Sequence, residues 1–531
     1  MTEKHRFGKE DIGGEILSIL TTGLYADPFD ALREYVQNAI DARAKRVSIE
    51  IDPSTILVED DGDGMDRAVA RRAIRLGISD KNATQNIGFR GIGIYSAFNL
   101  CDRLEIFTRP RTASSGSKIT FDFQSMRRQL LMETERRKKG LAPQLYLEAL
   151  LETSVSVTDD TESGLEAHGT RVILSGLLPL SHGRVMDWDA VVTYLQNVVP
   201  LPFSPHFSHG ALLTAEFKKE DHRVVPIDLR IGDRNEPIYR PYTDALFTSP
   251  TRYPPHIIQL PHFGFAWICI NGRRVIKDNK LRGLLLKKFG FSIGNRSYLE
   301  SYFKRTVLSR RITGEIILQH PDLLPNAARS DFEPNAARQD FLQKLPVFIA
   351  TIATWADTIQ QDEKGREVLA EVLEAIVDIT TNLPTARRER DALLQYNVEV
   401  ADLERRLKPH ERKLAQLSEA KQDLAKVKKL LATCKALVRS GLSNNANSRK
   451  NLERDIAKAV QAEEASKALR GNRPKVEFRD ISSVLDAAGI RVSRDLQRAL
   501  RALDELLAAQ LEPRTYAALL HQYADALEDS F

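Results

Sequence analysis

The chain has 531 residues, 42% of them hydrophobic and 28% charged, with a formal net charge of +5. That length exceeds one ordinary core and implies roughly two to four domains, while so mild a charge singles out neither nucleic acid nor membrane. Cys101, Cys269 and Cys434 have no metal-ligand or disulfide spacing, and no apolar leader or membrane-length run is present, which points to a cytoplasmic protein without a membrane partner.

In chain order, residues 10–45 read as two helices, EILSILTTGL and DALREYVQNAIDA, broken at YADP. Short β patterns follow at RVSIEI and TILVED, with DGDGM as the turn after the second. DRAVARRAIRLG is a short helix, ISDKNATQNIGFRGIG is polar and glycine-rich, and IYSAFNLC resumes as a helix. RLEIFTR, SKITFDF and HGTRVILSGLLP are strands, with a charged helical stretch over Gln124–Lys139 before the last of them. The first unit, residues 1–185, therefore mixes helices and strands.

A second α/β unit spans residues 186–340. Its clearest signal is FAWICINGRRVIKD, two strands joined at Asn271-Gly272, a dipeptide that tight hairpins prefer. GEIILQHPDLLPNAARSDF adds another strand and then a loop. From Ala336 the pattern turns helical: a helical segment at 341–385, then an expected coiled coil at 386–440. Leu403, Leu407, Leu414, Leu417, Leu424, Val427 and Leu431 carry that stripe, and Pro409 is expected to end one helix and start the next. Residues 441–475 read as a basic flexible linker and 476–531 as a small helical unit.

Three stretches carry candidate chemistry. Glu34, Asn38 and Asp41 lie four and three residues apart and share one side of a helix. Asp60, Gly62 and Gly64 form an Asp-x-Gly-x-Gly turn after a strand, and Gly88, Gly91 and Gly93 form Gly-x-x-Gly-x-Gly before a helix. A glycine-rich entry to a helix offers backbone N–H groups to an anion and admits phosphate closely. An acid at a glycine turn can accept from an exocyclic amine, an amide oxygen can ligate Mg²⁺, and a carboxylate can polarise an attacking water. Each has a plain alternative: a solvated helix face, a helix-capping acid, an ordinary turn. Their order within sixty residues makes the joint coincidence improbable.

The succession Glu-x-x-x-Asn-x-x-Asp-Ala, Asp-x-Gly-x-Gly-Met, Gly-x-x-Gly-x-Gly, then Gly-Thr before a strand resembles the GHKL ATPases, which include gyrase, heat-shock protein 90, sensor histidine kinases, MutL and MORC proteins. ILTTGLYADPFDALREYVQNAIDA and GIYSAFNLCDRLEIFTR are similar to the heat-shock protein 90 branch, and GFRG is also similar to MutL. The resemblance implies an α+β Bergerat-type ATP-binding sandwich, then a βαβ transducer domain and an all-α coiled-coil region. It further implies Glu34 as general base, Asn38 as Mg²⁺ ligand, and Asp60 as the adenine acceptor, supported by Gly64, Met65 and Thr170. Gly88, Gly91 and Gly93 would wrap the phosphates, Asp41 would line the pocket, and residues 66–87 would form a lid with Lys81 as a phosphate contact. Arg329, in LLPNAARSDF, would reach the γ-phosphate, with Lys287 and Lys288 as rivals.

The implied protein is a Mg²⁺-dependent ATPase working as a homodimeric clamp that ATP closes. One reading gives it protein clients, as a chaperone-like machine. The other is a MORC- or MutL-like DNA clamp, in bacterial genome or anti-phage defence, through the lysine- and arginine-rich residues 387–475. A histidine kinase is the remaining class; Glu34 and a transducer, rather than a receiver, stand against it.

Overall fold

The computed structural model describes residues 8, 11–25, 27–82, 86–113, 115–160, 165, 168–247, 252–386, 390–416 and 418–443. Most of the expected linker 441–475 and all of the expected unit 476–531 lie outside them. The chain divides into two compact units, Met1–Ile270 with Ile276–Ala350, and Asn271–Val275 with Thr351–Phe531.

The first unit begins with α1 (Glu15–Leu24) and α2 (Asp30–Asp41). Ala31, Leu32, Tyr35, Val36, Ala39 and Ile40 recur at helical spacing on α2 and are all buried. Arg43 ends the helix with φ of 62°, and Ala44 N donates to Ala39 O at 2.9 Å, the closing bond of a Schellman turn. There follow β1 (Val47–Asp52), β2 (Thr55–Asp60), α3 (Arg67–Ala73), β3 (Cys101–Arg109), β4 (Gly116–Asp122), α4 (Phe123–Lys138), α5 (Leu147–Ser154), β5 (Val155–Asp160) and β6 (Gly169–Leu177). The IYSAFN segment forms a 3-10 turn over Gly93–Asn99 in place of the expected α-helix; such tight turns suit short connections.

After α6 (Pro179–Val185), α7 (Trp188–Val198) and α8 (Gly210–Lys219) come β7 (Ile227–Ile231) and β8 (Arg234–Ile238). These complete an eight-stranded sheet of order β5-β4-β3-β6-β2-β1-β7-β8. The sheet therefore does not close at residue 185 as the sequence implied: β7 pairs in parallel with β1, from Val47↔Ile227 to Ile51↔Ile231. Burial alternates along β1 and β2, so one sheet face packs on the core that α2 shares.

A second, five-stranded sheet has the order β12-β11-β13-β10-β9, from β9 (His256–Leu260), β10 (Gly264–Ile270), β11 (Gly283–Lys288), β12 (Phe291–Ile293) and β13 (Ile312–Leu318), with α9 (Thr306–Arg310) before the last. The expected hairpin at Asn271-Gly272 is absent. Both edges of β10 are occupied, by β9 and β13, so no edge remains for the residues after 270. The tight hairpin in this sheet is instead Phe289-Gly290, both at positive φ (51° and 86°), joining β11 to β12. β11, β12 and β13 are buried at every position, as strands covered on both faces are.

The second unit holds most of α10 (Ala336–Ala386) with α11 (Arg390–Leu414) and α12 (Ser418–Ser443). Ion pairs Glu411–Lys428 at 2.8 Å and Glu404–Lys435 at 2.5 Å run α11 against α12 in opposite directions, and the Glu371–Arg406 pair with Gly365 lying against Leu414 does the same for α10 and α11. Leu403, Leu407, Leu414, Leu424, Val427 and Leu431 are buried within this cluster; Leu417 lies outside the described residues. Pro409 does not break the helix: α11 runs through it to Leu414. A proline removes one backbone bond, and Leu407 and Leu414, each 1% exposed, anchor both sides of it in the same core.

Candidate active site

The polar stripe of α2 opens into a cavity of about 290 Å³ rather than into solvent. Glu34 is 7% exposed and Gln37 1%, and the Asp41 side chain is 3% exposed, which removes the solvated-face alternative. Glu34 Oε1 pairs with Arg33 Nη2 at 3.1 Å, and Arg33 Nη1 with Asp30 Oδ1 at 2.8 Å. Glu34 Oε2 lies 3.5 Å from Gln37 Nε2, and its other side meets Gly93, where an added Cβ would come within 2.5 Å of it. A carboxylate so held keeps one direction. Asp41 accepts from Ile87 N at 2.9 Å and Gly88 N at 3.0 Å, which draws the start of the glycine run onto the helix.

Asp60, at the end of β2, supplies the second wall. Its Oδ1 accepts from Gly62 N at 2.8 Å. Burial raises its carboxyl to about 7, against the pull of that N–H bond, with Asp61 and Glu59 raising it further. Gly62 does not line the cavity; it acts on the cavity only by holding Asp60. Met65 N donates to Thr108 Oγ1 at 2.8 Å, and Thr108 Oγ1 lies 3.3 Å from Thr170 Oγ1. Thr108, which the sequence did not single out, thus joins two residues that it did.

Gly64 lets the chain pass closely: its φ is +69°, and a Cβ there would collide with the Arg109 carbonyl. Gly64→Ala is expected to cost on the order of 1–3 kcal/mol through the left-handed backbone and that collision. A thermal midpoint equal to the parent's would show that the turn tolerates a side chain.

The lid segment brings Lys81 to the stripe. Its Nζ donates to Asp41 Oδ2 at 2.8 Å and to Asn38 Oδ1 at 3.0 Å. Residues 83–85 of the expected lid lie outside the described ones. Gly64, Met65, Gly88, Gly91, Gly93 and Thr170 all line the cavity beside Glu34, Asn38, Asp41, Asp60 and Lys81.

From the distant loop, Arg329 also lines it. Its Nη2 donates to Gln37 Oε1 and, at 3.1 Å, to Ile87 O, and burial brings its guanidinium down to about 10 although Glu34 acts the other way. Lys287 and Lys288 are not at the cavity. Successive residues of a strand face opposite ways: Lys287 Nζ donates to Val199 O at 3.2 Å and pairs with Glu315 at 3.5 Å, while Lys288 Nζ donates to His320 O. Burial works against ionisation of Glu315, yet Arg240, Lys287 and Arg296 hold its carboxyl down to about 2. Lys287 is thereby committed to the core of the second sheet.

A metal at this cavity would have few protein ligands. Among the described residues no cluster of three His, Cys, Asp or Glu side chains is suited to a metal. Asn38 Oδ1 already accepts from an ammonium, so its lone pair faces a cation. One amide oxygen completed by ligand oxygens and waters suits Mg²⁺.

A helix presenting a fixed carboxylate and an amide oxygen, a buried acid at a glycine turn, and a glycine run tied to that helix thus meet at one cavity on a mixed sheet. Residues 25–145 match the family described as histidine kinase-, DNA gyrase B-, and HSP90-like ATPase, which places this part of the chain in the GHKL superfamily. Chaperone protein HtpG from Halorhodospira halophila is 26% identical over 166 residues, 25% of this chain and 26% of its own length. DNA mismatch repair protein MutL from Thermus thermophilus is 35% identical over 97 residues, 17% of this chain and 18% of its own. A solved N-terminal domain of a DNA repair protein is 14% identical, covering 64% of this chain and 98% of that one with a TM-score of 0.38. The chain matches about a quarter or less of the length of these curated relatives. A domain of this family implies ATP binding. Among the described residues no helix is long and apolar enough to cross a membrane.

Proposed function

We propose that the protein is a Mg²⁺-dependent ATPase acting as an ATP-gated dimeric clamp. The observation that carries this reading is the convergence of Glu34, Asn38, Asp60, Lys81 and Arg329 on one cavity, although they come from separate segments. Asp60 accepts the adenine amine. Asn38 would hold Mg²⁺, which when bound would screen phosphate charge. Glu34, fixed by Arg33, takes a proton from the attacking water. Lys81 and Arg329 neutralise phosphate oxygens, and because Arg329 belongs to the loop after β13, phosphate occupancy biases the position of that loop.

The clamp's cargo is a protein client in the first reading and DNA in the second. In the described part of 387–475, Lys428, Lys435 and Arg406 are each paired with a glutamate of a neighbouring helix, which favours the first. Mass and hydrodynamic radius in solution, measured with and without a non-hydrolysable ATP analogue, test the clamp: the expected result is a dimer that becomes more compact on nucleotide addition. An unchanged monomer in both conditions removes it. Salt-titrated DNA binding by the full chain separates the cargoes, because phosphate-tracking affinity falls steeply with salt; absence of binding at low salt removes the DNA reading.

A further inference from the structure

Gln37 belongs to none of the expected site residues, yet it lies between two of them. It is 1% exposed on α2. A side-chain amide has one accepting and one donating end, and both have a charged neighbour here. Oε1 accepts from Arg329 Nη2, and Nε2 lies 3.5 Å from Glu34 Oε2. The reverse orientation would set N–H against guanidinium and oxygen against carboxylate, so the two charges choose the rotamer. Gly88 supplies the room, since a Cβ there would collide with Gln37 Nε2.

The partner on the far side is held under strain. Arg329 has φ of 54°, a region that non-glycine residues occupy only when the surroundings impose it. Its carbonyl accepts from Gly294 N at 2.8 Å, and its Nη1 is buried without a partner. The loop therefore aims the guanidinium inward at Gln37, with the Nη1 amino group still unused.

We propose that Gln37 is a positioning residue that ties the docking of Arg329 to the orientation of Glu34. With Arg329 withdrawn, the Gln37 oxygen loses its donor in a buried place, one of the two charges that choose the rotamer is gone, and the contact to the cavity-side oxygen of Glu34 is weakened. Arg33 still holds one oxygen of the carboxylate, but the other is aimed fully only while the loop carrying Arg329 is in place, which links water activation to the loop's position. This rests on the reading of Glu34 as general base.

Full-length Gln37→Met and Gln37→Glu variants test the coupling. Gln37→Met is expected to bind a non-hydrolysable ATP analogue within about threefold of the parent while turnover falls at least about tenfold. Arg329→Met should cost at least about threefold less turnover in the Gln37→Met background than in the parent, since its phosphate contact is lost in both but the link through Gln37 is already broken in the first. Gln37→Glu still accepts from Arg329 but offers Glu34 no donor, so it too should bind the analogue within about threefold of the parent while turnover falls at least about tenfold. Independent, multiplying losses in the double variant, or turnover within about threefold of the parent in Gln37→Glu, overturn the coupling; if Gln37→Met does not fold, Gln37→Glu decides. A parent protein that neither binds nor hydrolyses ATP refutes the reading of the site itself, whereas an active parent with near-parent turnover in Gln37→Glu refutes only the role of Gln37.

Discussion

Glu34→Ala is expected to bind ATP within about threefold of the parent and to lose roughly 10²–10⁴-fold in turnover, the range that general base catalysis supplies. The carboxylate is held at one oxygen by Arg33 and bounded by Gly93, so no neighbouring acid on α2 can take its place without the helix moving. Asp30 and Asp41 are already engaged, with Arg33 and with Lys81, Ile87 N and Gly88 N respectively. Removing the side chain leaves buried Arg33 with Asp30 as its remaining carboxylate, and some stability is lost with it. Glu34→Gln separates the two effects: it keeps the volume and removes the charge. Both variants should give the same low rate when turnover and analogue affinity are measured on one preparation. Turnover within about threefold of the parent in Glu34→Gln would take the base away from this position.

Much of this site was legible because α2 carries a local contradiction. An amphipathic helix that places Glu34, Asn38 and Asp41 on one stripe, beside two glycine turns, has few structural reasons to do so. Gln37 was overlooked although it falls three residues after Glu34 on the same stripe; counting every polar position that faces inward would have found it. Arg33 and Thr108 had no such signal, since their roles arise from contacts with Asp30 and with Thr170 that only the folded chain creates. The failures elsewhere are of one kind. Asn271-Gly272 has the local chemistry of a hairpin, but β9 and β13 arrive from distant segments and take both edges of β10. Pro409 has the local chemistry of a helix end, but buried leucines on both sides hold the helix together. The strands β7 and β8 complete the first sheet by a parallel pairing with β1 that spans some 180 residues, and no local pattern announces a pairing of that range.

Asp60→Asn should abolish measurable nucleotide binding while leaving the fold intact, and the hydrogen-bond geometry says why so small a change suffices. Asp60 must accept twice: from Gly62 N, at 2.8 Å, and from the adenine amine. An asparagine has one oxygen. If it faces Gly62, its NH₂ opposes the amine of the base; if it faces the base, its NH₂ opposes Gly62 N–H. Either way two donors confront each other in a buried site, and a donor left unpaired there costs about 1–3 kcal/mol beyond the lost bond. Calorimetry with a non-hydrolysable analogue should therefore show affinity lower by at least about a hundredfold. Stability should move the other way. Burial lifts the Asp60 carboxyl from 3.8 to about 7, so the folded state favours the protonated form, and stability from this group is lost as pH rises from about 4 through about 7. The uncharged asparagine escapes that loss, and at pH 8 the variant should melt no lower than the parent. The same sign governs the parent's ligand. An amine donor favours the ionised carboxylate, so binding near pH 7 should release protons, and the heat of binding should vary with the ionisation enthalpy of the buffer. A buffer-independent heat at pH 6.5, or an Asp60→Asn variant that still binds the analogue within about tenfold, would move the adenine acceptor away from β2.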